Sequence, residues 1–189
     1  MTCKVSWLAV SAAAILTSAF AAAEQVDLSL ITARGWVQFT VGGDWKVLKM
    51  DTKTPARVAL FQIPNPADKR TSGSTNASVM SFEVDSQQAI AAYQRVRQKY
   101  GNGAKSQIGV WEVFKSNFKE GNTNYSGRVA YRDIADVHVC VVFAWPHLPK
   151  NEAGYDAEME QTFRGLLKSV TGALGKYPEE KGGVLRRPQ

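Results

Sequence analysis

Two histidines and one cysteine crowd into the stretch Val137–Pro149, VHVCVVFAWPHLP, and no other histidine exists in the chain. His138, Cys140 and His147 are residue types that bind metals or form a thiolate–imidazole nucleophile. On an extended strand His138 and Cys140 point the same way, about 7 Å apart. That supplies at best two ligands, and a closed structural zinc site takes four. His147 joins them only if the chain folds back at Pro146. A nucleophilic cysteine needs a base within hydrogen-bond reach and an exposed, electropositive setting. Val139 and Val141 surround Cys140 with apolar neighbours instead. The strand's two faces read Val137, Val139, Val141, Phe143, Trp145 and His138, Cys140, Val142, Ala144. Both are mostly apolar, the pattern of a central strand covered on both sides. A core strand is therefore the expectation, with no catalytic, metal or cofactor-binding residue assigned. An enzyme of small-molecule or metal-dependent type centred on Cys140 and His138 is the alternative.

Other chemistry is sparse. The chain has no G-x-S-x-G, no H-E-x-x-H and no P-loop. The acidic run Glu152, Asp156, Glu158, Glu160 opens a helical pattern, where carboxylates complement the helix dipole. Arg95, Arg97 and Lys99 close another helix and fit its negative end in the same way. No aromatic stacking platform accompanies them, which argues against nucleic-acid binding.

The first residues, MTCKVSWLAVSAAAILTSAFAAAEQ, combine Lys4, an uncharged apolar run and Ala21-Ala22-Ala23 before Glu24. This is the pattern of a signal peptide cleaved after Ala23. The run is too short and too rich in Ala and Ser for a stable membrane span. The mature chain is expected in a periplasm or outside the cell. Cys3 would leave with the signal, so Cys140 has no internal disulfide partner. Residues 24–175 are expected to form one domain and 176–189 a flexible polar tail. The whole chain carries a net charge of +6, one unit of it from Lys4. The basic residues are scattered, which suits solubility; attachment to an anionic surface through basic loops and Arg186-Arg187 is a further possibility.

The elements needed to position these residues follow from periodicity. WVQFTV (36–41) alternates, Gly42-Gly43-Asp44 turns, and WKVLKM (45–50) is extended, so the two suggest a hairpin. RVALFQI (57–63) and SVMSFEV (78–84) read as strands, with a polar exposed loop over 67–75 between them. Ala89, Tyr93, Val96 and Tyr100 make one stripe of a helix over 86–100, capped by Asp85 or Ser86 and ended by Gly101. Strands over 106–118, 123–134 and 136–145 form an antiparallel meander. Met159, Phe163, Leu166, Leu167, Val170 and Leu174 mark a final helix over 152–174. The segment 25–35 gives no clear element. Trp36 falls opposite Val37, Phe39 and Val41, and is either an exposed binding residue or is covered by a helix.

The phrases WVQFTVGGDWKVL and MEQTFRGLLKSV, at the two ends of residues 30–174, resemble the early hairpin and the closing helix of the Mog1/PsbP-like fold. The resemblance implies an α+β class with an antiparallel β-sheet flanked by helices, an α/β/α sandwich. It also implies a scaffold for docking rather than catalysis. The expected function is a non-enzymatic accessory or binding protein whose partner is another protein of the cell envelope, with no nucleic acid and no stable membrane insertion of the mature chain.

Overall fold

Alternating and helical apolar patterns fold as ten strands and two long helices in a computed structural model that describes residues 24–148 and 153–178. In chain order the elements are β1 (Gln25–Ile31), β2 (Gly35–Gly42), β3 (Lys46–Asp51), β4 (Ala56–Gln62), β5 (Asn76–Glu83) and α1 (Gln87–Tyr100). They continue with β6 (Lys105–Ile108), β7 (Trp111–Glu120), β8 (Thr123–Ile134), β9 (Val137–Pro146), α2 (Ala153–Ser169) and β10 (Thr171–Leu174). Seven strands form one antiparallel sheet in the order β3-β4-β5-β9-β8-β7-β6, and three form another in the order β1-β2-β10. The class is α+β, as expected, but with two antiparallel sheets where one was anticipated.

Strand β9 is central in the large sheet, between β5 and β8. Its odd-numbered face, Val137 to Trp145, packs on α2 and the small sheet through Phe39, Phe163, Leu166 and Leu167. Its even-numbered face packs on α1: Cys140 joins Phe82, Phe114, Val129 and Tyr131 beneath Ala89, Tyr93, Val96 and Tyr100. The helix stripe read from the sequence is thus the face that α1 buries. The Ala89 N–H donates to Ser86 Oγ at 3.3 Å, and the Gly101 N–H to the Arg97 carbonyl at 2.7 Å. Both ends of α1 are capped, and of the two N-cap candidates it is Ser86 that caps it.

Four local expectations are corrected. The first is the hairpin of 36–41 with 45–50. Both edges of β2 are occupied, by β1 and β10, so β3 has no edge to join and pairs with β4 in the other sheet. The turn does close, with the Trp45 N–H donating to the Gly42 carbonyl at 3.0 Å. Trp45 then meets Phe61 of the large sheet at 6.0 Å, so the turn is a corner between sheets. The unclear segment 25–35 supplies the strand that β2 does pair with.

The second correction is the final helix, which stops at Ser169. Val170, Thr171 and Gly172 have weak helix propensity. Ser169 Oγ accepts from the Thr40 N–H at 3.0 Å, and Thr171–Leu174 complete the small sheet against Gly35–Gln38. The third is the strand over 106–118, which is a tight hairpin of β6 and β7 turning at Gly109, where φ is +58°. The fourth is the exposed loop over 67–75. A short 3-10 turn, Pro66–Arg70, begins it, and Asp68 accepts from both the N–H and the hydroxyl of Thr75, at 2.8 and 2.9 Å. Ala67 and Thr75 are buried, so this connection is held down rather than free.

Candidate functional site

The two histidines stand beyond reach of one another. His138 is near the start of β9 and His147 lies past its end, about 30 Å away at the rise of a strand. Cys140 is fully buried under α1, and burial pushes its thiol well above the ordinary cysteine range. A thiol in that state is a packing group, not a nucleophile. His138 stacks on Tyr93, with ring centroids 4.4 Å apart and planes 12° apart, and its Nδ1 lies 2.6 Å from Asp133 Oδ1. His147 is exposed, and its Nε2 lies 2.7 Å from Ser126 Oγ. This serine–histidine contact escaped the sequence reading because Ser126 lies on β8 and His147 just past the end of the neighbouring β9. No carboxylate orients the ring among the described residues, so it lacks the third member of a nucleophilic set. Among the described residues no group of three or more His, Cys, Asp or Glu could hold a metal ion.

The remaining candidates are structural. Asp156 accepts from Trp145 Nε1 at 2.8 Å, and Glu160 accepts from Arg128 Nε at 2.7 Å. The described acidic residues at the start of α2 thus include two that tie the helix to the sheet; Glu152 lies outside the described residues. Trp36 is buried, and Tyr177, beyond β10, meets it edge-on at 5.5 Å. Trp111 is also buried.

What the fold leaves open is the part of the large sheet beyond the C-terminal end of α1. A row of register-matched residues crosses it: Gln62, Asn76, Ala144, Gly127 and Ser116, on β4, β5, β9, β8 and β7. Ala144 and Ser116 have little side chain to stand above the backbone, so the sheet surface dips there, while the Phe118 ring lies against Gly127. A trough of about 780 Å³ lies there, running from Leu48 on β3 to Lys119 on β7. Tyr100 flanks it from the end of α1, and Phe118 and Tyr125 from the β7–β8 hairpin. Phe118 and Tyr125 are register partners stacked at 5.2 Å, and Phe118 meets Tyr100 edge-on at 6.4 Å. Val142, on the central strand, is only half-buried here. Central strands are normally covered on both faces, so this is a gap in the sandwich.

Charge around the trough is mixed. Lys99 and Glu120 are exposed on its face, whereas Lys115 and Lys119, odd positions of β7, border it but alternate to the opposite face with Val113. The Lys99 ammonium lies 4.8 Å from the Tyr100 ring centre. Among the described residues Lys115 and Lys119 make no ion pair. Gly103 shapes the rim, because its backbone approaches the Lys115 carbonyl too closely for any side chain. Sequence reading placed Tyr100 in the helix stripe and passed over Phe118. A signal was present: Phe118 is an aromatic set between Lys115, Lys119 and Glu120, at a strand end that is otherwise polar.

No protein-family model matches the chain, and no curated protein matches it in sequence. Among solved structures, a protein from Bacteroides thetaiotaomicron is similar at 15% identity and a TM-score of 0.42 over 77% of this chain. That match covers 46% of the Bacteroides protein, so this chain spans about half of its length. LpqN, described as involved in cell envelope biogenesis of Mycobacterium tuberculosis, is similar at 9% identity and a TM-score of 0.39, over 79% of this chain and 91% of LpqN. At these TM-scores neither likeness carries an argument about what this chain does.

Proposed function

We propose that residues 24–189 form an exported, non-enzymatic accessory protein that docks on another envelope or secreted protein. One domain over 24–175 does the docking, and 1–23 is the export signal; the segment 1–23 and most of the proposed tail over 176–189 lie outside the described residues. The observation that carries this reading is the trough: an aromatic-flanked gap over the central strands, open to solvent, with neither Cys140 nor His138 exposed to it. Half-buried aromatics such as Tyr100 and Phe118, in a partly desolvated recess, are the kind of group that anchors protein interfaces. The order of strands, helix, meander and closing helix, similar to the Mog1/PsbP-like scaffold, supports the same reading. No described helix is long and apolar enough to cross a membrane.

The test is cross-linked capture of the tagged mature protein from its own envelope, run beside Phe118→Ala. A protein that co-purifies with wild type and is lost with Phe118→Ala supports docking through the trough. Equal recovery with both, or no recovery with either, counts against it.

A further inference from the structure

We propose that a basic recess between α2 and the β6–β7 hairpin binds a phosphate ester, with the phosphate held by Lys115, Arg128 and Arg164. The recess lies on the face of the large sheet opposite the trough, so this site is separate from the docking surface above. Strand alternation puts it there. Lys115 shares a face with Val113, and Arg128, its register partner on β8, lies on that same face. Helix α2 supplies the wall, with Glu160 and Arg164 one turn apart.

The recess has a volume of about 450 Å³, and its polar lining is Ser106, Gln107, Lys115, Arg128, Glu160 and Arg164. Three cations thus meet one carboxylate. Glu160 Oε2 accepts from Arg128 Nε at 2.7 Å, and its Oε1 lies 3.5 Å from Arg164 Nη2. Arg128 also donates from Nη1 to the Gly127 carbonyl at 2.8 Å. Its side chain is therefore fixed, 13% exposed, with Nη2 left without a partner among the described residues. Lys115 stands directly opposite Arg128 in the β7–β8 register and makes no ion pair among the described residues. Like charges opposed across two strands destabilise a sheet. One carboxylate, shared with Arg164, leaves the lining at a formal +2, three cations less one anion. Lys119 and Arg132, further along the same face, make no ion pair among the described residues and add to the positive field. Asp156, one turn before Glu160, is engaged by Trp145 Nε1.

The lining selects the class of ligand. A phosphate monoester, close to doubly charged at neutral pH, matches the +2 of the recess, and a guanidinium fork meets its oxygens two at a time. Arg164 keeps its fork free apart from the long contact with Glu160, and the Lys115 ammonium carries three donors. The recess is larger than a phosphate group alone, so a small polar group attached to the phosphate fits beside the Ser106 hydroxyl and the Gln107 amide. Among the described residues no aromatic ring lines it, so a nucleobase has nothing to stack on. A soluble phosphate ester and the phosphate of a lipid headgroup share this chemistry.

The experiment is isothermal titration calorimetry of the mature protein with glycerol 1-phosphate, beside flotation with phosphatidylcholine vesicles that contain phosphatidic acid. Saturable binding is expected, weakening several-fold as salt rises from about 50 to about 500 mM. In the double variant K115Q/R164Q, affinity should fall at least about tenfold, equivalent to about 1.4 kcal/mol. Both side chains are exposed, so the variant should melt as wild type does. K46Q/K49Q removes the same charge from exposed positions on β3, at the far edge of the sheet, and should bind as wild type does. Calorimetric binding without flotation assigns the recess to a soluble ester. Flotation that is lost in K115Q/R164Q assigns it to a lipid headgroup; either result supports the site. No saturable binding of either probe, equal binding by K115Q/R164Q, or an equal loss in K46Q/K49Q would each overturn it.

Discussion

The imidazole of His138 lies parallel to the ring of Tyr93 at 4.4 Å while its Nδ1 meets Asp133 at 2.6 Å. One side chain thus joins α1 to the loop end of the β8–β9 hairpin. The arrangement explains a histidine in a core strand without any catalytic role. His138→Ala removes the stacking and the polar contact together. It should cost about 1 kcal/mol and lower the melting temperature by about 2–4 °C. Partner capture should be unchanged. A loss of capture in a variant that melts normally would return His138 to the list of functional residues.

Cys140 should be silent toward thiol reagents in the native protein. It is fully buried, and desolvation holds the thiol protonated. Labelling by a disulfide reagent should be negligible without denaturant and rise along the unfolding curve. Rapid native labelling would show that α1 opens away from the sheet. Cys140→Ser, which buries a hydroxyl, should destabilise more than Cys140→Ala.

Gly103 is the most constrained glycine beside the trough. An added Cβ would meet the Lys115 carbonyl oxygen at 1.5 Å, and backbone cannot step aside as a flexible side chain can. Gly103→Ala should cost about 1–3 kcal/mol and displace the connection between α1 and β6. Circular dichroism melts measure the first effect, and amide hydrogen exchange over residues 101–105 the second. Gly154→Ala is the control, because nothing lies near its added Cβ.

Glu112 connects α1 to β7. It accepts a hydrogen bond from Lys105 and another from Arg97 Nη2 at 2.6 Å, and these hold its carboxyl below the ordinary glutamate range. A lowered folded-state pKa contributes stability above the unfolded value, about 4.3, and loses it as pH falls through the folded value. Wild type should therefore lose stability on acidification below about pH 4.3 more steeply than Glu112→Gln. Parallel slopes in that window would show that the pair contributes nothing measurable. Denaturant melts between about pH 2.5 and pH 6 decide it.

The parts of this fold that were legible are those with a strong local period. VHVCVVFAW alternates between two apolar faces, and both faces are covered near Cys140. Ser86, Gly101 and the stripe from Ala89 to Tyr100 marked α1 to within a residue. The misread parts are those where a local pattern competed with a distant partner. Met159 to Leu174 keeps helical spacing throughout, yet β2 takes Thr171–Leu174 as a strand. GGD between two extended runs looks like a hairpin turn, yet β2 has no edge left for β3.

The trough shows the same division for function. The sequence by itself determined the two-sided core strand, the capped helix, the export pattern and the thinness of any catalytic set. Each depends on residues within a few positions of one another. Only the tertiary structure decided where the sandwich stays open. Asn76, Ala144, Gly127 and Ser116 come from four strands, and their alignment is a matter of sheet register. Tyr100 and Phe118 face one recess because α1 ends where the β7–β8 hairpin begins to project. Register and helix length set that meeting, and neither can be read from the spacing of the residues that line it.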